Sequence, residues 1–210
     1  YHHLFADVLR AGLDEKSEQS ANHRAAAWFE EQNLLPEALS YRLSGKDTVQ
    51  AARLLRMLAV DLLKNGELQS LLAWLQALPE AVIQADIELV SYKALAMLLT
   101  GSILEAQEYA VRAYHQHTQQ FPHSSTGRLL AIQAWIAMSM GNAQTQALAE
   151  AALEQLGAAD AFFRVLSLVS LGSSLGWTGK IPASIQVFRE AYQLGKTIQQ
   201  PSISLAALTN

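Results

Sequence analysis

The segment "LLTGSILEA" (residues 98–106) joins two apolar helical patterns through a single glycine. Glycine tolerates the left-handed backbone that commonly ends a helix, so Gly101 is expected to be the point where one helix stops. Ser102, with Glu105 three residues later, matches a capping box that opens the next helix. The segment therefore predicts a helix, a tight turn and a second helix.

The same arrangement recurs along the chain. Pro36 and Pro182 each follow a turn residue at a spacing that suits the first turn of a helix. The predicted turn residues, separated by 33, 35, 40 and 38 positions, are Asn33, Gly66, Gly101, Gly141 and Gly179. A unit of that length, built from two helices and a tight turn, is typical of helical repeat arrays, in which each hairpin buries its apolar face on its neighbours.

Small side chains recur on both sides of these turns, where the two helices of a hairpin must approach closely. The residues seven positions before each turn are Ala26, Ala59, Ala94, Ala134 and Gly172. The small residues five positions after a turn are Ala38, Ala106 and, less clearly, Ser184, with Phe188 and Ala191 further along the last helix. Leu71 and Gln146 depart from this pattern. The longest interruption, "HQHTQQFPHSST" (His115–Thr126), is predicted to be a loop in which Ser125 or Thr126 caps the next helix.

This pattern of small residue, turn and small residue resembles tetratricopeptide repeats. Gly101 with Ala106, and Gly179 with Phe188 and Ala191, are the residues that carry the resemblance most clearly. The family implies an all-α fold, a right-handed superhelix of about five helix–turn–helix hairpins.

Composition narrows the classes of function. The 210 residues include no cysteine, which excludes disulfides and thiolate metal sites, and no uncharged apolar run approaches the roughly 20 residues needed to cross a bilayer. No signal peptide is recognisable, so a cytoplasmic location is expected. The formal charge of −4, with no basic block, argues against binding to the phosphate backbone of a nucleic acid.

The opening stretch "YHHLFADVLRAGL" places Leu4, Phe5, Val8 and Leu9 on one helical stripe that needs a partner surface. Together with residues 25–39 and 67–79, this stretch resembles large ATP-dependent LuxR-type regulators of the MalT kind. In that family a nucleotide-binding module and a winged-helix region precede a tetratricopeptide-like sensor, and a DNA-binding helix-turn-helix follows it. The resemblance implies that residues 1–16 end the winged-helix region and that residues 17–210 form a truncated sensor domain. Residue 1 is then expected to lie mid-protein.

The resemblance also implies the partners. We expect a small-molecule inducer or a regulatory protein in the concave groove, contact with the ATPase and winged-helix modules, and no membrane. The upstream module is expected to bind ATP, and this part of the protein is expected to bind no cofactor. We expect this part of the protein to make no direct contact with DNA. We also expect it to self-associate through residues 1–13. A stand-alone repeat scaffold that binds peptides is the alternative, and an enzyme domain ranks below both.

No pattern of residues points to catalysis. The stretch "GSSLGWTGK" (residues 172–180) lacks the spacing of a phosphate-binding loop and the Ser or Thr after its lysine. His115 and His117, two positions apart on a helix, point to different faces and make a poor metal pair, and adjacent His2 and His3 meet the same objection. The acidic pair Glu30–Glu31 is expected to be solvated.

The inner groove remains as a binding surface. If the first helix of each hairpin lines it, the outward-facing positions are Arg53, Arg56, Ser91, Leu98, Arg128, Trp135, Met138, Ser173 and Trp177. Exposed tryptophans flanked by polar donors suit sugar-like or aromatic ligands. The alternative is that each tryptophan packs between hairpins as part of the core, and that the arginines are solvated.

Overall fold

The computed structural model describes residues 14–121 and 125–198, and it contains only helices in this part of the chain. The α-helices are α1 (Glu15–Glu31), α2 (Leu35–Ser44), α3 (Thr48–Asn65), α4 (Leu68–Ala77), α5 (Glu80–Gln84), α6 (Ile87–Leu99), α7 (Ile103–Gln120), α8 (Gly127–Ser139), α9 (Thr145–Gln155), α10 (Ala161–Trp177) and α11 (Ile181–Thr197). A 3₁₀ turn, Ala158–Asp160, precedes α10. The prediction of an all-α fold is confirmed. The helix predicted for residues 1–13, with His2, His3 and the self-associating surface, lies outside the described residues, as does His123.

The chain divides into two compact units, one ending at Leu89 and one beginning at Val90. The first unit contains α1 to α5 and the start of α6. The second contains the rest of α6 and α7 to α11.

All five predicted turn residues have a left-handed backbone and stand between two helices. The φ angles are 57° at Asn33, 74° at Gly66, 93° at Gly101, 64° at Gly141 and 78° at Gly179. A further left-handed residue that the sequence did not reveal, Lys46 with φ 57°, joins α2 to α3. Asp47 then caps α3 by accepting a hydrogen bond from the backbone N–H of Gln50. Pro36 and Pro182 lie in the first turns of α2 and α11, as predicted.

The two capping predictions have different outcomes. Ser102 is the N-cap residue of α7, but its side chain makes no capping hydrogen bond, so the capping box does not form. Before α8, the Ser125 hydroxyl oxygen accepts a hydrogen bond from the backbone N–H of Gly127, the first residue of the helix, at 3.4 Å. The Thr126 hydroxyl donates to Gln155 Oε1 at 3.2 Å and does not cap the helix. Gln155 lies at the end of α9, far along the chain, and local sequence spacing does not reveal it.

The small residues named in the sequence are buried where neighbouring helices meet. Ala26, Ala59, Ala94, Ala134, Ala38, Ala106 and Ala191 are each fully buried, and Ser184 is nearly so. In the second unit the contact between α10 and α11 is close: the Ser184 hydroxyl donates to the Gly172 carbonyl at 2.7 Å. A Cβ atom at Gly172 would approach the Phe188 ring to 2.8 Å, so only glycine fits there without a shift.

The segments that depart from the repeat are accommodated in different ways. Leu71 is fully buried, so in α4 a large side chain occupies the position at which α2 and α7 have alanine. The turn before α9 is longer than the others, and α9 starts at Thr145, so Thr145 and Ala149 are buried in place of Gln146. The prediction of a loop over His115–Thr126 is wrong for its first half, because α7 continues to Gln120.

Among the residues that the structure describes, one helical stretch, Ala158–Trp177, has the length and apolar composition of a membrane span. Most of it is buried within the structure, as the core helix of a soluble protein also is, so this is weak support for a span.

Candidate functional site

In the first unit, the candidate residue Arg53 belongs to an ionic network where α1, α2 and α3 meet. Glu30 accepts from Arg42 at 2.9 Å through Nε and at 2.7 Å through Nη2, both on Oε1. Arg53 donates to the other carboxylate oxygen of Glu30. Arg42 also reaches Asp47 at 2.9 Å. Arg53 is therefore engaged with a carboxylate from another helix, although its side chain remains 40% exposed.

Glu30 is the centre of this network, and its side chain is only 20% exposed. Burial by itself raises the pKa of Glu30, but the hydrogen bonds and charges of Arg42 and Arg53 outweigh burial and hold its pKa below the ordinary value. The expectation that Glu30 is a solvated surface charge is wrong, because α2 and α3 cover it with two guanidinium groups. Glu31 is exposed, as expected.

Arg56 is held in a similar way one turn further along α3. It forms an ion pair with Asp86, which also accepts from the backbone N–H groups of Glu88 at 3.0 Å and Leu89 at 3.3 Å. Asp86 thus caps α6 and neutralises Arg56 at the same time. The two candidate arginines of the first unit are each tied to a carboxylate of a neighbouring element.

In the second unit, Arg128 lies between two aromatic rings and is mostly buried. Its guanidinium carbon is 5.6 Å from the centre of the Tyr92 ring and 5.3 Å from that of Phe163. Its Nε donates to Asp160 at 2.6 Å, and the Arg128 side chain is 17% exposed. This is a cation–π and ion-pair contact that joins α6, α8 and α10.

The predicted tryptophans have different surroundings. Trp135 and Met138 are half-buried and pack against a core cluster of Val165, Leu168, Val169 and Ala191. Trp177, at the end of α10, is 57% exposed. Trp135 therefore makes a core contact, in line with the alternative given by the sequence, while Trp177 presents an aromatic surface to solvent.

Three further candidates are buried. Ser91 is fully buried, Leu98 is 8% exposed and Ser173 is 6% exposed. The Ser173 hydroxyl donates to the carbonyl of Val169 within its own helix, at 3.0 Å. These three side chains do not line an accessible surface. Of the nine predicted residues, Trp177 is the most exposed, and Arg53, Arg56, Arg128, Trp135 and Met138 are partly buried.

The described residues hold no group of three or more His, Asp or Glu side chains arranged to bind a metal. His115 is exposed and His117 is buried beside Phe121, with ring centres 5.5 Å apart, so the two histidines do face different sides. The glycine-rich stretch 172–180 begins inside α10, where Gly172 packs on α11, and ends in the turn between these helices, which is not the geometry of a phosphate-binding loop. A search against models of protein families finds none that matches the chain.

Sequence reasoning missed the acidic partners of the arginines. Asp47, Asp86 and Asp160 each stand just before a helix, and such a position predicts an N-cap. Their second role, as counter-ions of Arg42, Arg56 and Arg128, depends on which helices pack together and has no local signal.

Proposed function

We propose that the chain is the sensing repeat region of a MalT-like, ATP-dependent transcriptional regulator of LuxR type, built as a tetratricopeptide-like right-handed superhelix of about five hairpins. The observation that carries the proposal is the succession of five left-handed turns, each with a small buried residue seven positions before it. The resemblance of residues 1–13, 25–39 and 67–79 to that family supports the assignment to a regulator rather than to an unrelated repeat protein.

In this proposal the chain binds and transmits, and does no chemistry itself. A small inducer or a regulatory protein contacts the first helices of the hairpins, and the change in helix packing passes to an ATPase module elsewhere in the full-length cytoplasmic protein. The ionic contacts around Glu30, Asp86 and Asp160 suit such transmission, because each one joins different helices. DNA contact belongs to another part of the protein.

The coding sequence around this chain is the direct test of the assignment. A GxxxxGK[ST] motif upstream and a helix-turn-helix downstream in the same reading frame are expected. Their absence from a complete reading frame would instead favour the stand-alone scaffold that binds peptides.

The two tryptophans provide a test of where the inducer binds. In the full-length regulator, Trp177→Ala should increase the inducer concentration needed to activate a reporter gene by about ten- to a hundredfold, since a lost stacking contact typically costs roughly 1–3 kcal/mol. Its thermal unfolding should change little, because Trp177 is 57% exposed. Trp135→Ala is the matched variant, and it should lower stability by on the order of 2–3 kcal/mol because it removes core packing. An unchanged inducer response in Trp177→Ala would remove this residue from the site.

A further inference from the structure

A partly enclosed cavity of about 80 Å³ lies in the second unit, between α7, α8 and the turn that leads into α9. Four of its lining residues carry a carboxamide side chain: Gln107, Gln133, Asn142 and Gln144. Val111 and Leu148 are among its apolar residues, and no charged side chain lines it. At roughly 30 Å³ per water molecule, the cavity has room for two or three waters or one small polar group.

The long turn before α9 creates this cavity. The turn covers five residues, 140–144, where the connections before α7 and α11 have three. Gly141 supplies the left-handed backbone, and the Asn142 side-chain oxygen accepts from the Gln144 N–H at 2.8 Å. The Thr145 hydroxyl donates to the Asn142 carbonyl at 2.7 Å. The irregular spacing of the fourth hairpin thus produces a fixed turn that carries two of the four carboxamides.

Much of the hydrogen-bonding capacity of these carboxamides is unused within the described part of the protein. Gln107 and Gln144 make no side-chain hydrogen bond there, and Gln133 makes one long bond, from Nε2 to the Ala110 carbonyl at 3.4 Å. The Asn142 oxygen is occupied by the turn, which leaves its NH₂ group as a donor. The residues that line the cavity therefore retain both hydrogen-bond donors and acceptors for a ligand.

The chemistry of the lining selects the ligand. A charged group would enter without a counter-charge, and an apolar group would leave the partly buried amides of Gln107 and Gln133 without partners. A primary carboxamide donates two hydrogen bonds and accepts two, which matches the lining. Val111 and Leu148 can contact the methylene group next to such an amide.

We propose that this cavity is a binding site for a neutral primary carboxamide, such as the end of a glutamine side chain. The site lies at the end of the fourth hairpin and does not include any of the nine groove candidates. It does not depend on the assignment of the chain to a regulator.

Acetamide titrated into the ¹⁵N-labelled chain is the test, with side-chain NH₂ signals and the Gly141 amide observed by NMR. Saturable shifts with a dissociation constant on the order of 1–10 mM are expected, because so small a ligand has few contacting atoms. Acetone, which lacks donors, and acetate, which is charged, should each bind at least tenfold more weakly. Equal shifts with all three compounds, or no saturation by 100 mM acetamide, would overturn the proposal.

Gln133→Leu should weaken acetamide binding at least tenfold. Gln146→Leu is the matched control, since Gln146 is also on this hairpin but bonds to Glu150 at 2.9 Å and does not line the cavity. Free glutamine and N-acetylglutamine methylamide then separate a metabolite from a polypeptide as the source of the amide. Binding of both compounds more weakly than acetamide, or equal loss in the two variants, would contradict the assignment.

Discussion

Glu30 is a partly buried carboxylate that two guanidinium groups contact from different helices, Arg42 from α2 and Arg53 from α3. Without the charge of Glu30, Arg42 would keep Asp47 and Arg53 would keep Gln50 as side-chain partners, but a partly buried ion pair would be lost. That loss costs more than the loss of an exposed ion pair. The stability of the first unit should therefore depend on the charge of this single side chain.

We predict that Glu30→Gln lowers the free energy of unfolding by about 1–3 kcal/mol at pH 7. Because the pKa of Glu30 is lowered in the folded state, its ionised form contributes stability above the unfolded pKa of about 4.3, and that contribution is lost as the pH falls through the folded value. The difference between wild type and variant should thus be constant from pH 6 to 7 and shrink towards pH 3. Urea unfolding at several pH values measures it.

Glu31→Gln is the control for this prediction, because Glu31 is next in sequence and exposed. Its effect on stability should stay within about 0.5 kcal/mol at every pH. Similar losses for the two variants would show that overall charge, and not the contacts of Glu30, is responsible.

At the scale of elements, the contact between α10 and α11 depends on the absence of a side chain at Gly172. Gly176 is on the same helix, but a Cβ atom there would meet Ser184 Oγ at 3.5 Å, an ordinary contact, against 2.8 Å to the Phe188 ring at Gly172. Alanine in place of either glycine gains about 1 kcal/mol of helix propensity. Crowding against Phe188 should cost roughly 1–3 kcal/mol at position 172 only.

Gly176→Ala should therefore raise the free energy of unfolding slightly, and Gly172→Ala should be less stable than Gly176→Ala by about 1–3 kcal/mol. Because the substitution and the helix are the same, propensity cancels in this comparison. Denaturant unfolding of both variants measures the difference. Equal gains would mean that the Phe188 ring moves aside at no cost.

The sequence could predict the helices and turns better than the contacts between distant elements. Helices, turns and small buried residues follow from local patterns, because glycine, proline and apolar spacing act on neighbouring residues. The extension of α7 past His115 was missed because its last turn is polar, and the pairing of Arg128 with Asp160, Tyr92 and Phe163 joins distant parts of the chain. For the candidate site residues, the sequence could predict that each lies on a helix, but not how exposed its side chain is. Trp135 packs against a core cluster, whereas Trp177 is exposed.

Across the whole molecule, several cations are already neutralised by carboxylates of the same chain. Arg42, Arg53, Arg56 and Arg128 are all in ion pairs between elements. The formal charge of the chain is −4. Binding to duplex DNA requires cationic side chains that replace condensed counter-ions. The ion pairs of these arginines reduce the number of cationic groups that can do so.

The chain should therefore bind duplex DNA weakly and without sequence preference. At 150 mM salt we expect no saturation below about 100 µM chain in fluorescence anisotropy, and any association at 20 mM salt should disappear as salt is raised, because it depends on counter-ion release. A Glu30→Gln, Asp86→Asn double variant leaves Arg42, Arg53 and Arg56 with fewer carboxylate partners and should bind more tightly at low salt by up to about tenfold. Selection from a random duplex library measures specificity directly. Enrichment of one sequence that the chain binds at 150 mM salt would contradict the prediction and place DNA recognition within this part of the protein.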